Sequence, residues 1–260
     1  MHAPPRDDNF VTVGGITSVT AGKKTETNGE IFNDYVNNTA GFYAHTEGYH
    51  NTASGEVSHA EGYYTTASGM YAHAEGSQTY ATGEYSHAEG FNNTSSAPYS
   101  HTEGKDNIAA GNNSHAEGRG TKAYGNESHA EGLRSQTYTN GAYGHAEGYE
   151  THAMSTASHS EGAYTRAYGA YSHAAGVHSH AYGFAQTVVG VNNAIDDKAL
   201  FIVGNGSSDG SDAGRSSAFV VHPNGSVTIA NSILMKDQVT GENYSISIQN
   251  GQIVCSKVTQ

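Results

Sequence analysis

The chain has 260 residues, among them 33 Gly, 18 Tyr, 16 His, 4 Pro and 1 Cys, with no Trp and only 14% charged residues. Residues 40–183 hold four branched aliphatics (Val57, Ile108, Leu133, Val177) against nineteen in 184–260, which excludes from the first stretch a helical bundle or a doubly wound α/β domain, since each needs apolar stripes of its own period. A formal net charge of −13 lacks the basic patch of a nucleic-acid surface, the single Cys255 cannot close an intramolecular disulfide, and no run of 18 apolar residues offers a membrane span.

Residues 1–29 read as a cap or lead-in. Pro4-Pro5 and the charged Arg6-Asp7-Asp8 precede a β-like run, Phe10–Val13, and a Gly-bearing turn. A stack of strands leaves an unpaired backbone edge at its end, and a cap covers it. No apolar signal-type segment occurs in this region.

From 30 to 195 the sequence repeats. The word Ser-His-Ala-Glu-Gly or a close variant recurs at His45, His59, His73, His87, His101, His115, His129, His145, His159 and His173. Eight of the nine intervals are 14 residues; the step from His129 to His145 is 16, so two extra residues sit within 133–144 and should loop outward. The frame continues to Thr187 and extends back towards Ile31. A weaker motif fills the other half of each period, as in Ala53 with Gly55 and Ala67 with Gly69. A period of 14 is too short for helix-pair repeats or propeller blades, which take roughly 30 to 50 residues. It fits an all-β parallel β-solenoid in which each coil has two strands of about five residues and two tight turns. Strand alternation in Tyr85-Ser86-His87-Ala88-Glu89-Gly90 predicts Tyr, His and Glu on the outer face and Ser, Ala and Gly inside. The Gly that ends each word, from Gly48 to Gly176, is expected to turn the chain with φ > 0.

The outer residues carry the chemistry. Glu follows His by two positions at Glu47, Glu61, Glu75, Glu89, Glu103, Glu117, Glu131, Glu147 and Glu161, and Ala175 takes that place in the last copy. A His/Glu pair is suited to acid–base work, yet nine equivalent pairs along a rod are not one pre-organised pocket; the expectation is a structural ladder and no enzyme. No cofactor is expected, the minority reading being a transition metal ion along the His file, imidazole being the commonest ligand. The sharpest local candidate for it is His178-Ser179-His180, two imidazoles on one strand face. Tyr stands two residues before His at Tyr43, Tyr71, Tyr85, Tyr99, Tyr143 and Tyr171, and aromatics stand four after it at Tyr49, Tyr63, Phe91 and Tyr149. These predict partial ladders near the corners, suited to locking chains together or, less so, to holding sugars. His50 and His152 lie out of register and read as solvent-facing.

Residues 196–260 read as a C-terminal β-rich module for trimerisation or binding. Hydrophobic alternation runs through 199–203, 218–221 and 226–229, and His222-Pro223-Asn224-Gly225 marks a turn. A second hairpin is predicted around Gln249-Asn250-Gly251. This part is expected to hold a conventional apolar core. The coils bury little apolar area, so association of three copies is the expected source of stability.

The 14-residue pattern with its Ser-x-Ala-x-Gly core resembles the head repeats of YadA-type trimeric autotransporter adhesins. The Ser-His-Ala-Glu-Gly version, with Phe201-Ile202-Val203-Gly204-Asn205-Gly206, Arg215-Ser216-Ser217-Ala218-Phe219 and Asn224-Gly225, is similar to haemagglutinin-like proteins of bacteriophages and prophages. The likeness spans roughly 30–230, and it departs from the adhesin heads in placing His and Glu where those carry aliphatics. It implies a left-handed β-roll in a homotrimer and a structural and binding role in host attachment. The expected place is a virion, as the shaft or head of a phage tail fibre or baseplate appendage. Its partners would be a host-surface glycan or protein receptor and other tail or baseplate proteins, with no nucleic acid and no membrane insertion. The alternative is a bacterial cell-surface adhesin of the autotransporter type; the absence of an export signal, heptad stalk and membrane-barrel pattern favours the phage reading.

Overall fold

Each repeat folds as one coil of a parallel β-solenoid. In the computed structural model the described residues are 37–258 and four strands before them, Phe10–Val13, Ile16–Ala21, Thr25–Thr27 and Glu30–Phe32. A typical coil contributes a long strand of five residues beginning at the repeat His, such as His59–Tyr63, and a short one of two residues, such as Thr66–Ala67; in the His87 coil the first is only His87–Ala88. Like residues pair from coil to coil, with His59 beside His73, Ala60 beside Ala74 and Glu61 beside Glu75. Twelve long strands, from His45–Tyr49 to Phe201–Asn205, and eleven short ones, from Asn38–Thr39 to His180–Ala181, form two sheets. At the usual strand spacing the long-strand file extends about 53 Å.

Four inward positions per coil take small side chains, those one residue before the His and one, six and eight after it. Ser58, Ala60, Thr65 and Ala67 fill one coil and are all buried. Among the described residues of this interior, only Val188 and Ile202, near the C-terminal end, are larger apolar side chains. The Ser of the repeat word caps the turn before it: Ser86 Oγ donates to the Gly83 carbonyl at 2.7 Å, and Ser58, Ser100, Ser114 and Ser172 do the same in their coils. Asn at the inward position six after the His ties coils together. Asn107 donates to the Gly118 carbonyl of the following coil and accepts from the Thr121 amide.

Alternation fails at the repeat glycine, which lies within the long strand and faces outward instead of inward. Its φ is positive as expected, +96° at Gly104, but the chain reverses two residues later. A Cβ at Gly104 would strike the carbonyl oxygen of Gly118 in the next coil. Two further positions per coil, two before and five after the His, are also left-handed although seldom glycine. Tyr85 has φ 55° and Asp106 φ 60°. The Tyr85 amide donates to the Met70 carbonyl at 2.8 Å and the Asp106 amide to Phe91 at 3.0 Å, bonds to the preceding coil that offset the backbone cost.

The two-residue insertion leaves the sheet untouched. His129 still pairs with His145, and Ala130 with Ala146. Thr139 and Asn140 bulge at a corner and are exposed, in a turn closed by the Gly141 amide on the Tyr138 carbonyl at 2.7 Å.

Both ends of the long-strand sheet switch to antiparallel pairing. Ile16–Ala21 lies parallel to His45–Tyr49, with Val19 beside His45, and Phe10–Val13 runs antiparallel outside it. Ile31 instead belongs to a separate hairpin with Thr25–Thr27. At the other end Phe201–Asn205 is still parallel to Thr187–Val191, after which Ser217–Val221 and Val227–Ile229 pair antiparallel. The second predicted hairpin is Asn243–Gln249 with Gln252–Lys257, joined by Ile233–Lys236. The apolar core expected here is not formed within one chain. Leu234, Met235, Ile248 and Ile253 are 54–77% exposed, because among the described residues no second layer packs on this three-stranded sheet.

Two changes test this account. Gly104→Ala is expected to destabilise by about 1–3 kcal/mol from backbone strain alone, with the clash in addition, as read from urea unfolding. Deleting Thr139 and Asn140 should leave the melting temperature within about 2 °C of the parent; a large drop would mean that the bulge carries structure.

Candidate functional site

The residues singled out by the repeat form one continuous face. Because each His opens a long strand, the imidazoles stack. Neighbouring ring centroids from His59 to His173 are 4.7–5.0 Å apart and their planes agree within 8°. His45 is tilted by 54° from His59. The glutamates make a parallel file two residues along, so the carboxylate oxygens face the ring edges. His59 Nε2 lies 3.7 Å from Glu61 of its own coil, whereas His129 lies 3.5 Å from Glu117 and His173 3.3 Å from Glu161 of the coil before. Glu75 spans two rings, with Oε2 4.0 Å from His73 and Oε1 3.8 Å from His87. Among the described residues of this stack His145 alone has hydrogen-bond geometry to a carboxylate, 3.2 Å from Glu131. Eight other Nε2 atoms of the stack are buried without a hydrogen-bond partner.

The electrostatics follow from this packing. Two imidazolium charges at the stacking distance repel by about 1 kcal/mol in a water-like dielectric and about 3 kcal/mol at an effective value of 20, and a carboxylate at similar range attracts by about as much. Loss of hydration decides the balance. Burial first, then the neighbouring imidazoles, hold His59, His87, His115 and His159 below the ordinary histidine value. The carboxylates are linked to one another. Hydrogen bonding with Glu131, then burial and Glu161, raises Glu147, while Glu131 is lowered chiefly through Glu117 and Glu161 chiefly through Glu147. Beside the ladder runs an open groove of about 530 Å³ lined by Glu47 to Glu103 and the repeat glycines, Gly48 to Gly104.

Metal-capable clusters lie on this ladder, among them His115 with Glu117 and His129, and His129 with Glu131 and His145. His178 and His180 have separate surroundings. His178 is a left-handed corner residue stacked on Tyr164 at 4.7 Å. His180 is buried, its Nδ1 accepting from Arg215 at 3.0 Å. Burial and the Arg215 and Arg166 charges push it down to about 4. A guanidinium stands where a cation bound to that nitrogen would have to stand.

Outer aromatics stack in short runs, Tyr71 on Tyr85 on Tyr99 at 4.8 and 5.0 Å, and Tyr49 on Tyr63 at 5.2 Å. His50 is not merely solvent-facing, since it stacks on Tyr64 at 4.8 Å. His152 contacts Tyr138 edge-on, and burial lowers it. The Arg215 contact was hidden in the sequence because 35 residues separate it from His180.

No family model matches this chain, and a search of curated proteins finds no match to it. Among the described residues no helix is long and apolar enough to cross a membrane.

The depressed histidines set the sign of the pH dependence. A His with a lowered folded value binds fewer protons when folded, so its stability is complete above about pH 6.5 and is lost as pH falls through the unfolded and then the folded value. The melting temperature is expected to be lower at pH 5.5 than at pH 7.5, a window above the ordinary carboxylate range. Greater stability at pH 5.5 would mean that the ladder holds imidazolium.

Proposed function

We propose that the chain is a non-enzymatic structural and binding protein, a homotrimeric shaft or head of a phage tail fibre or baseplate appendage that attaches the particle to a host surface. The observation that carries this reading is the unbroken in-register pairing of the long-strand sheet from His45 to Asn205. Two sheets joined at every coil resist bending, and each coil contacts only its neighbours, which makes a spacer whose length is set by copy number. The repetition of one face argues against a single reaction centre. The exposed apolar sheet of Ile233–Lys236, Asn243–Gln249 and Gln252–Lys257 supports assembly, since a sister chain would remove Leu234 and Ile253 from water. Our candidates for receptor contact are the irregular segments 133–144, which holds the bulge, and 205–214, a stretch rich in Gly, Ser and Asp.

Light scattering on the full chain is expected to give about 82 kDa, three times 27.2 kDa. Leu234→Glu with Ile253→Glu should reduce that mass to a single chain. A wild-type protein that is folded and monomeric overturns the trimer. Fluorescently labelled protein that binds neither host cells nor their isolated surface polymers overturns the attachment role.

A further inference from the structure

We propose that the His/Glu ladder is a linear binding site for divalent transition-metal ions of the zinc class, centred on His115, Glu117, His129, Glu131 and His145. Two facing groups define the problem. In its unprotonated form His129 Nε2 presents a lone pair to the Glu117 carboxylate 3.5 Å away, acceptor against acceptor; in its protonated form the proton meets no oxygen in hydrogen-bond geometry. Either way a buried polar atom goes unsatisfied, and this recurs at eight histidines. A metal ion turns both groups into ligands at once.

The dimensions fit. Zinc takes imidazole nitrogen at about 2.0–2.1 Å and carboxylate oxygen at about 2.0–2.2 Å, so two such atoms on one tetrahedral ion stand roughly 3.4 Å apart. His129 to Glu117 is 3.5 Å and His145 to Glu131 is 3.2 Å. In each cluster all three donor atoms lie within 4.8 Å of one another. The second imidazole closes the remaining gap by tilting, a freedom already taken by His45 against His59. Two nitrogens and a carboxylate favour zinc, copper or nickel over magnesium and calcium, which prefer all-oxygen shells. His129 belongs to both clusters, so neighbouring sites compete and the ladder must bind fewer ions than it has histidines. Three clusters elsewhere along the file, such as Glu75, His87 and Glu89, hold one His and two Glu and are poorer in nitrogen. The inference is independent of the attachment role, since it rests only on the ladder.

The test uses the full, untagged chain stripped with chelating resin and dialysed against Zn²⁺ or Mg²⁺, with bound metal measured by plasma mass spectrometry. The expected result is Zn²⁺ retained at one or more ions per chain with no Mg²⁺ retained. Zn²⁺ should also raise the melting temperature, as any ligand of the folded state does. Co²⁺ should develop visible d–d absorption of a nitrogen- and oxygen-ligated ion. H115Q/H129Q/H145Q should lose the tightest Zn²⁺, and H178Q/H180Q should keep it. Should the triple His variant fail to fold by circular dichroism, E117Q/E131Q removes carboxylate ligands and leaves the ring stack in place, with the same loss expected. Absence of Zn²⁺ retention, retention unchanged in the ladder variants, or its loss in H178Q/H180Q overturns the proposal.

Discussion

Closure of a coil in fourteen residues depends on three left-handed backbone positions, and the rest of the structure depends on that closure. Tyr85, Gly90 and Asn92, with φ of 55°, 97° and 54°, bend one coil where an ordinary extended chain would run on. Each left-handed residue costs free energy by itself. The cost is tolerated because the reversed amides reach carbonyls of the coil before, as Asn92 does at Ser77. Once the circumference is fixed, register is fixed as well, and equivalent atoms must lie one strand spacing apart along the rod.

That enforced repetition explains both the interior and the face. Inside, the sheets stand so close that Ala, Ser and Thr fill the space, and buried clusters such as Ala109, Ala116, Ala123 and Ala130 contain nothing larger. At about 0.8 kcal/mol per buried CH₂ such a core is weak. Cohesion therefore rests on main-chain ladders and on side chains that bond to the backbone, Ser128 to Gly125 and Asn93 to Gly104 among them. Outside, imidazoles and carboxylates are stacked whether or not their charges agree; burial lowers the rings of His59, His87, His115 and His159, and the neighbouring acids raise Glu147.

Much of this was legible in the sequence, because a strict period reveals register directly. The spacing of His59, His73 and His87 gave the coil, the 16-residue step gave the bulge, and Asn224-Gly225 and Asn250-Gly251 gave the hairpins. The left-handed corners were not legible: Tyr71, Gln78 and Glu127 have no intrinsic preference for that conformation, and only the neighbouring coil imposes it. The place of the repeat glycine was half legible. Its positive φ follows from residue type, whereas its outward position and contact with the next glycine arise from stacking. His178 and His180 looked like a pair by spacing alone, but His178 is a corner residue and Arg215 reaches His180 from the loop before Ser217–Val221. The exposure of Leu234 and Ile253 could not be read from alternation, which marks an apolar side of a sheet without saying what covers it.

The pairing of His129 with His145 across a 16-residue step has a consequence for how such a chain changes over generations. A corner absorbs extra residues without disturbing the sheet, and one whole coil presents the same surfaces above and below as any other. Gain or loss of a complete repeat by slipped recombination would therefore preserve every interface in the file. Reach becomes a heritable quantity that moves in steps of one strand spacing, while novelty in contact surface is confined to the corners.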